Sequence, residues 1–229
     1  FDKYDRNDVI VKYSTISDIS TPLRVIWEQF ILPFYLKSHK IDVLFCPGNI
    51  APVFTATKTV VWIGTIGPFF KEFYKGFNFP NQISLYFNKI AMKLSALFAN
   101  AVIFESEFTK NLFVSKYNLN ESKAYVIHIG YDVFFQNNIN KRPELVGEKY
   151  KDCHSFALCV SHLYPYKNIV RMLRAFKESL HETNSKAKLL IAGHIKYKKY
   201  VHEIKLTINK LNLQNDVILL GPVSKEELK

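Results

Sequence analysis

No stretch of this sequence approaches the roughly 18 to 20 uninterrupted apolar residues that a membrane-spanning helix requires. A segment such as VIWEQFILPFYL is broken by polar neighbours and Pro33, so a soluble or peripheral protein is expected. Cysteine is scarce. Cys46, Cys153 and Cys159 are odd in number and show no CxxC spacing, which argues against a disulfide framework and against a zinc site, and a reducing cytoplasm fits best. The sequence opens on Phe1 without a basic stretch leading into an apolar run and a small-residue cleavage site, so no signal peptide is expected. No strand is followed by GxGxxG, and GxxxxGK[ST] is absent. The dinucleotide fingerprint and the P-loop are therefore missing, which demotes NAD binding and ATP hydrolysis. There is no short-period repeat and no low-complexity tract.

Acidic residues are also in deficit: 20 Asp and Glu stand against 31 Lys and Arg, a formal net charge of +11 with a pI near 9.4. The lysines are spread along the chain, and the densest cluster, KYKKY at 196–200, is short. Without a concentrated basic stripe, nucleic acid is not expected as a partner. Two readings of the charge stay open: a generally solvated basic surface, or one that meets anionic lipid or a phosphorylated substrate.

What is present is a rhythm. Short apolar runs alternate with segments of helical spacing, the pattern of an α/β protein with parallel strands and crossover helices. The strand candidates are Val9 to Val11, Asp42 to Cys46, Val60 to Ile63, Ala101 to Phe104, Ala124 to Ile127, Phe156 to Val160, Leu189 to Ala192 and Val217 to Leu220. Helices are expected near 22–38, 82–99, 108–117, 168–181 and 198–212, with Thr21 before Pro22 as an N-cap pairing. The helix after Lys167 is the clearest, because Ile169, Leu173, Phe176 and Leu180 line one face while Arg171, Arg174, Lys177 and Glu178 lie on the other. The polar segment 133–152, with Pro143 and Gly147, breaks the rhythm. It reads as the connection between a first domain, 1–132, and a second, 153–229.

In an open parallel sheet, ligands bind outside the carboxyl ends of the strands. Three loops of the second domain leave such ends: SHLYPYKN at 161–168, GHIKYKKY at 193–200 and GPVSKEEL at 221–228. Lys167 and Asn168 stand where a helix should begin, and a helix start offers unpaired N–H groups and partial positive charge. Lys167 is thus either part of a diphosphate site or simply a solvated residue. His162 should face the same crevice, although a lone histidine there is more often a surface or capped one. Gly193 and Gly221 allow a ligand to approach closely, or serve only as turn glycines.

ALCVSHLYPYKNIVRMLRAFKES, KLLIAGH and LNLQNDVILLGPVSKEELK, in that order and spacing, resemble the opening of the donor-binding domain of GT-B glycosyltransferases. The resemblance is to the large retaining group 1 (family 4) type, which includes many bacterial mannosyl- and rhamnosyltransferases. TPLRVIWEQFILP, DVLFCPGNIAP, AVIFESEFTKNL and VIHIGYDVFF resemble its acceptor-side domain, so the likeness covers nearly the whole chain. It implies two Rossmann-like domains, each incomplete, the first lacking its start and the second its end.

The resemblance also implies roles. Ser161 and His162 stand where the family has a strand-end Gly-Arg, and Lys167 matches the lysine that grips the donor diphosphate. Lys167 and His162 would stabilise the leaving group, with Ser161, Asn168, Gly193, His194, Pro222 and Val223 around the rest of the donor. The acceptor side would use Gly64, Thr65 and Ser106. Many relatives carry a His-Asp pair after the strand matching VVWIGTIGPFF; this chain has Gly64, Thr65 and Ile66 there. The family's pair of Glu residues, separated by seven positions, should lie beyond Lys229, so the 229 residues are expected to be a central fragment that catalyses poorly alone. The implied activity is transfer of a hexose or deoxyhexose, with retention, from a GDP-, UDP- or dTDP-linked donor to a growing saccharide or lipid-linked acceptor of the cell surface. No metal or other cofactor is implied, and the place would be the cytoplasmic face of the membrane. Phe69, Phe70, Lys71, Phe73, Tyr74 and Lys75 would then meet the bilayer, or form a loop packed on its own aromatics. A non-catalytic relative that binds nucleotide or saccharide, or supports a partner enzyme, is the alternative.

Overall fold

The computed structural model describes residues 21–75, 77–130, 155–184, 186–195 and 197–225. The strand expected at Val9 to Val11 and the connection at 133–152 lie outside them. The chain divides into two compact units, one formed by 1–69 and 80–129, the other by 70–79 and 130–229. The ten residues 70–79 thus group with the second half of the sequence.

The described part of the first unit begins with α1 (Thr21–Ile26), a π-helical turn (Trp27–Ile31) and α2 (Leu32–Ser38). A continuous helix was expected over 22–38. Pro33 explains the interruption: it has no N–H to donate to residue 29, and its ring crowds that carbonyl. The chain widens instead, and the Leu32 N–H reaches back to the Trp27 carbonyl, a five-residue step of the π type. Within the widened turn Gln29 clasps the following loop, donating to the Ala51 carbonyl at 3.2 Å and accepting from the Val53 N–H at 2.9 Å.

Four parallel strands follow, β1 (Val43–Cys46), β2 (Lys58–Ile63), β3 (Ala101–Phe104) and β4 (Ala124–Val126), paired in the order β1-β2-β3-β4. Between β2 and β3 run a short α3 (Lys71–Tyr74) and the long α4 (Phe79–Phe98); α5 (Glu107–Tyr117) joins β3 to β4. Alternate residues of β2 and β3, Val61, Ile63, Val102 and Phe104, are buried with Met92 and Ala96 of α4 and Phe113 of α5, as a period of two requires when one face is covered by helices. Phe113 meets both Phe69 and Phe104, at ring distances of 4.9 and 5.2 Å. The end of α4 is held by Lys123, whose ammonium donates to the Leu97 and Ala99 carbonyls at 2.6 and 2.8 Å, a cation placed on the partial negative charge of a helix C-terminus.

The second unit holds β5 (Phe156–Val160), α6 (Ile169–Thr183), β6 (Lys188–Ala192), α7 (Lys198–Lys210) and β7 (Val217–Gly221), with parallel strands in the order β5-β6-β7. Its core is Ile169 and Leu173 of α6, Leu189 and Ile191 of β6, Tyr200, Val201, Ile204 and Ile208 of α7, and Leu163, Leu213 and Val217. The expected α6 stripe holds: Ile169 and Leu173 are buried, and Phe176 and Leu180 pack at its margin. Burial was expected all along Phe156 to Val160. Instead only Cys159 packs against the core, while Phe156, Leu158 and Val160 are exposed, β5 being an edge strand among those described.

The chain has only 8 glycines, and asparagine takes over left-handed positions. Of the six described non-glycine residues with positive φ, five are asparagines, at 49, 118, 168, 184 and 212, since its short side chain tolerates that region best. Asn118 and Asn184 end α5 and α6 in this way.

Leu173 has no solvent exposure. Leu173→Ala should destabilise the second unit by roughly 2 to 5 kcal/mol, the transfer and cavity cost of a buried leucine, measurable by urea denaturation. A loss below about 0.5 kcal/mol would contradict this core.

Candidate functional site

The three strands of the second unit end together. The Ser161 N–H donates to the Ala192 carbonyl at 2.8 Å, the Gly193 N–H to the Gly221 carbonyl at 2.7 Å, and the Leu163 N–H to the His194 carbonyl at 3.2 Å. The loops leaving β5, β6 and β7 are thereby laced side by side. Gly193 is required by that closeness, because a β-carbon there would fall on the Ser161 carbonyl. Gly221 is required by its own backbone, with φ at 75°. Pro222 and Val223 follow it, exposed and half-buried.

This lacing brings together the residues expected at 161, 162, 193 and 194. The imidazoles of His162 and His194, both exposed, lie 5.3 Å apart between ring centroids. The Ser161 hydroxyl donates to the His162 carbonyl at 3.1 Å, so its side chain is engaged in shaping the loop.

The start of α6 differs from expectation. Pro165–Lys167 form a 3-10 turn, Asn168 is left-handed, and the helix begins at Ile169. Lys167 and Asn168 therefore precede the helix. Its early N–H groups are not all open either: Val170 donates to the hydroxyl of Tyr200 at 3.3 Å. The reason is burial. Tyr200 is only 7% exposed, and a buried hydroxyl must find a partner; burial pushes its phenol pKa up, while the N–H groups of Val170 and Ile169 pull the other way. The N–H groups of Leu163, Tyr164, Lys167 and Asn168 are likewise taken by carbonyls of the unit. A ligand at this loop meets side chains more than helix-end amides, and Lys167 is exposed to meet it.

The Lys167 ammonium lies 5.3 Å from the Tyr166 ring centroid, within cation-π range. Its charge also reaches Cys159, whose thiol is pushed up by burial and partly restored by Lys167. Tyr166 belongs to an aromatic cluster: Tyr164 lies 5.4 Å from Tyr166 and 5.1 Å from Tyr197. Burial, with help from Tyr164 and Tyr197, raises the Tyr166 phenol. The cluster is closed by residues from α3 and its end. Phe73 packs on Tyr166 at 4.6 Å, Phe77 on Tyr197 at 5.5 Å, and the two phenylalanines lie 5.5 Å apart. The segment read as a bilayer contact or a self-packed loop is thus partly self-packed and partly a buttress for the 161–168 loop, with Lys71 and Lys75 exposed. Sequence spacing gave no signal for this, because the partners are remote in the chain.

In the first unit, Gly64 and Thr65 follow β2. Both N–H groups donate to the side-chain oxygen of Asn49, at 2.8 and 3.1 Å. A β-carbon on Gly64 would lie 2.6 Å from a carboxylate oxygen of Glu105, so the glycine leaves room for that side chain, which sequence reasoning missed. His128 Nδ1 lies 3.1 Å from the Glu105 carbonyl, and Trp62 Nε1 is buried without a partner among the described residues. Ser106, expected on the acceptor side, is the N-cap of α5: its hydroxyl accepts from the Thr109 N–H at 3.3 Å and shares a hydrogen bond with the Thr109 hydroxyl at 3.0 Å. A serine before a helix is held this way because it satisfies an otherwise unpaired N–H. Among the described residues, no three His, Cys, Asp or Glu side chains are grouped to hold a metal ion, and no helix is long and apolar enough to cross a membrane.

Comparison with known proteins places this arrangement. No curated protein matches the chain. Among solved structures, a glycosyltransferase from Rickettsia africae aligns with 96% of this chain and 56% of its own, at 21% identity and a TM-score of 0.62. Anabaena Alr3699/HepE in complex with UDP and glucose aligns with 94% of this chain and 55% of its own, at 18% identity and a TM-score of 0.62. The same Anabaena protein in complex with UDP-glucose gives a TM-score of 0.63 at 18% identity, covering 86% of this chain and 53% of that one. The chain thus spans little more than half the length of these structures, and its two parallel-sheet units have the GT-B fold they share. Residues 142–229, the part of the chain that carries His162, Lys167 and His194, match the family described as glycosyl transferases group 1.

Proposed function

We propose that the protein is a glycosyltransferase, or the part of one, that moves a hexose or deoxyhexose from a nucleotide sugar to a saccharide or lipid-linked acceptor, with retention of anomeric configuration. One observation carries the reading: the ends of three parallel strands, laced at Gly193, bring His162 and His194 together at the switch from strand to loop, with Lys167 exposed on the same loop as His162, within the family-matched segment. Anions bind where basic side chains converge on close-packed backbone, and the carboxyl ends of parallel strands are where an open α/β sheet offers that.

The chemistry follows from charge. As the bond from C1 of the sugar to the diphosphate lengthens, the sugar becomes oxocarbenium-like and negative charge grows on the leaving group. Lys167 and the imidazoles oppose that growing charge, which lowers the barrier because they act more strongly on the transition state than on the bound donor. Ser161 and Gly193 shape the floor of the site, Asn168 turns the chain into α6, and Pro222 and Val223 are our candidates for contact with the base of the nucleotide. Gly64 and Thr65, with Glu105 above them, form the acceptor-side counterpart. UDP is the first donor base to test, since UDP and UDP-glucose are bound in the Anabaena structures. The location that suits this role is the cytoplasmic face of a membrane, with exposed Lys71 and Lys75 as the contact for anionic lipid.

The test is UDP binding by calorimetry, followed by turnover of UDP-glucose, GDP-mannose and dTDP-rhamnose. Lys167→Ala should weaken UDP binding about ten- to hundredfold, the loss of a hydrogen bond between charged groups, while Lys167→Arg keeps affinity within a few fold. Binding unchanged in Lys167→Ala would remove Lys167 from the site. Binding with no turnover of any donor would leave a nucleotide-binding module. Gly193→Ala should give a folded protein whose Ser161 and His162 amide resonances shift and whose UDP affinity falls at least tenfold, because the β-carbon displaces the loop. Unshifted resonances would contradict the lacing.

A further inference from the structure

This inference rests on the nucleotide-sugar reading and concerns how the site takes hold of the diphosphate. We propose that His162 and His194 bind the donor as a pair of cations charged by the donor itself, so that each binding event takes up protons from solvent and donor affinity falls as pH rises through neutrality.

The geometry is specific. His162 leaves β5 and His194 leaves β6, on adjacent strand ends held by the Ser161–Ala192 and Leu163–His194 backbone bonds. Their ring centroids lie 5.3 Å apart and both side chains are exposed. Two positive charges at that spacing oppose each other, whereas an anion beside both favours both charged forms. An imidazole changes charge between pH 5 and 8, which an arginine never does. Two histidines where a guanidinium would suffice convert a permanent phosphate grip into a proton-linked one.

Among the described residues, no anion competes for the two imidazoles. Tyr164 lies 6.3 Å from His162 between ring centroids, and Tyr197, packed on Tyr164, is a phenol raised by burial and therefore neutral near pH 7. Lys167 adds positive charge from the same loop, and Lys198 and Lys199 add more from the start of α7. Among the described residues neither imidazole has a carboxylate within ion-pair distance. Asp216 precedes the opposite, amino-terminal end of β7 and pairs with Lys188 at 3.3 Å. Glu178 and Glu182 are in the later turns of α6, Glu203 is in α7, and Glu72 is on α3. Among the described residues nothing balances the charge on two protonated imidazoles, and a bound diphosphate would supply that balance.

The experiment is calorimetry of UDP-glucose, GDP-mannose and dTDP-rhamnose at pH 6, 7 and 8, in pairs of buffers with different ionisation enthalpies. Nucleotide sugars are the probe because their diphosphate is esterified at both ends and lacks the terminal phosphate proton that titrates near pH 6. For a donor that binds, uptake of about one proton or more at pH 7 is expected, with affinity falling at least tenfold from pH 6 to 8, the effect of two imidazoles each stabilised in the charged form. His162→Gln and His194→Gln should each reduce the uptake, and the double variant should abolish it. His162→Arg should tighten binding at pH 8 and remove its share of the pH dependence. Circular dichroism checks that these exposed variants fold. Binding without proton uptake overturns the pair and leaves the nucleotide-sugar reading standing. Uptake that survives in His194→Gln unchanged also overturns the pair. Failure of every donor to bind at every pH overturns the nucleotide-sugar reading together with this inference.

Discussion

The second unit depends on one close approach, that of the Gly193 backbone to the peptide joining Ser161 and His162. A sheet spreads its strands, and loops leaving neighbouring strands ordinarily diverge. Here the ladder is continued past the strand ends by the Ser161–Ala192, Gly193–Gly221 and Leu163–His194 hydrogen bonds, so three loops leave as one layer. The absence of a side chain at 193 permits it. Once the loops are bound in this way, the backbones of His162 and His194 are held on adjacent strand ends and Lys167 follows on the same loop as His162.

The cost of that order is met from two sides. Beneath, Leu163, Ile169 and Tyr200 anchor the loop and the helix start in the core, and the Tyr200 hydroxyl takes the Val170 N–H. Above, Phe73 and Phe77 pack against Tyr166 and Tyr197. Aromatic pairs at these distances contribute about 0.5 to 1.5 kcal/mol each beyond simple burial, enough in combination to restrain a loop that has no regular ladder of its own. Lys167 is thus a long flexible side chain rooted on a stiff base, which is what a residue needs if it is to meet a charged group without a large loss of loop entropy.

Local features were legible in the sequence. The strands at 101–104 and 156–160 stand where the apolar runs put them, and the α6 stripe is what a helical period of Ile169, Leu173, Phe176 and Leu180 requires. Errors arose both from local signals passed over and from remote partners. The helix over 22–38 bends to a π turn because of Pro33, a local cause that was present in the sequence. The start of α6 moved past Lys167 because Asn168 turns left-handed, and its open amides were claimed by a tyrosine 30 positions away. Ser106 carried an N-cap signal, with Thr109 three positions on, which its alignment with an acceptor site obscured. Glu105 became visible only through the space that Gly64 leaves for it, and Phe73 only through the ring it covers.

The placement of residues 70–79 has a consequence during synthesis. These residues leave the ribosome with the first half of the chain, yet Phe77 finds its partner, Tyr197, only after about 120 further residues have been added, a delay of about 6 to 24 seconds at ordinary elongation rates. For that interval the phenylalanines of the segment have no tyrosines to cover them. The segment, α3 and the residues that follow it, is therefore left with its own Phe73–Phe77 contact until Tyr166 and Tyr197 are made.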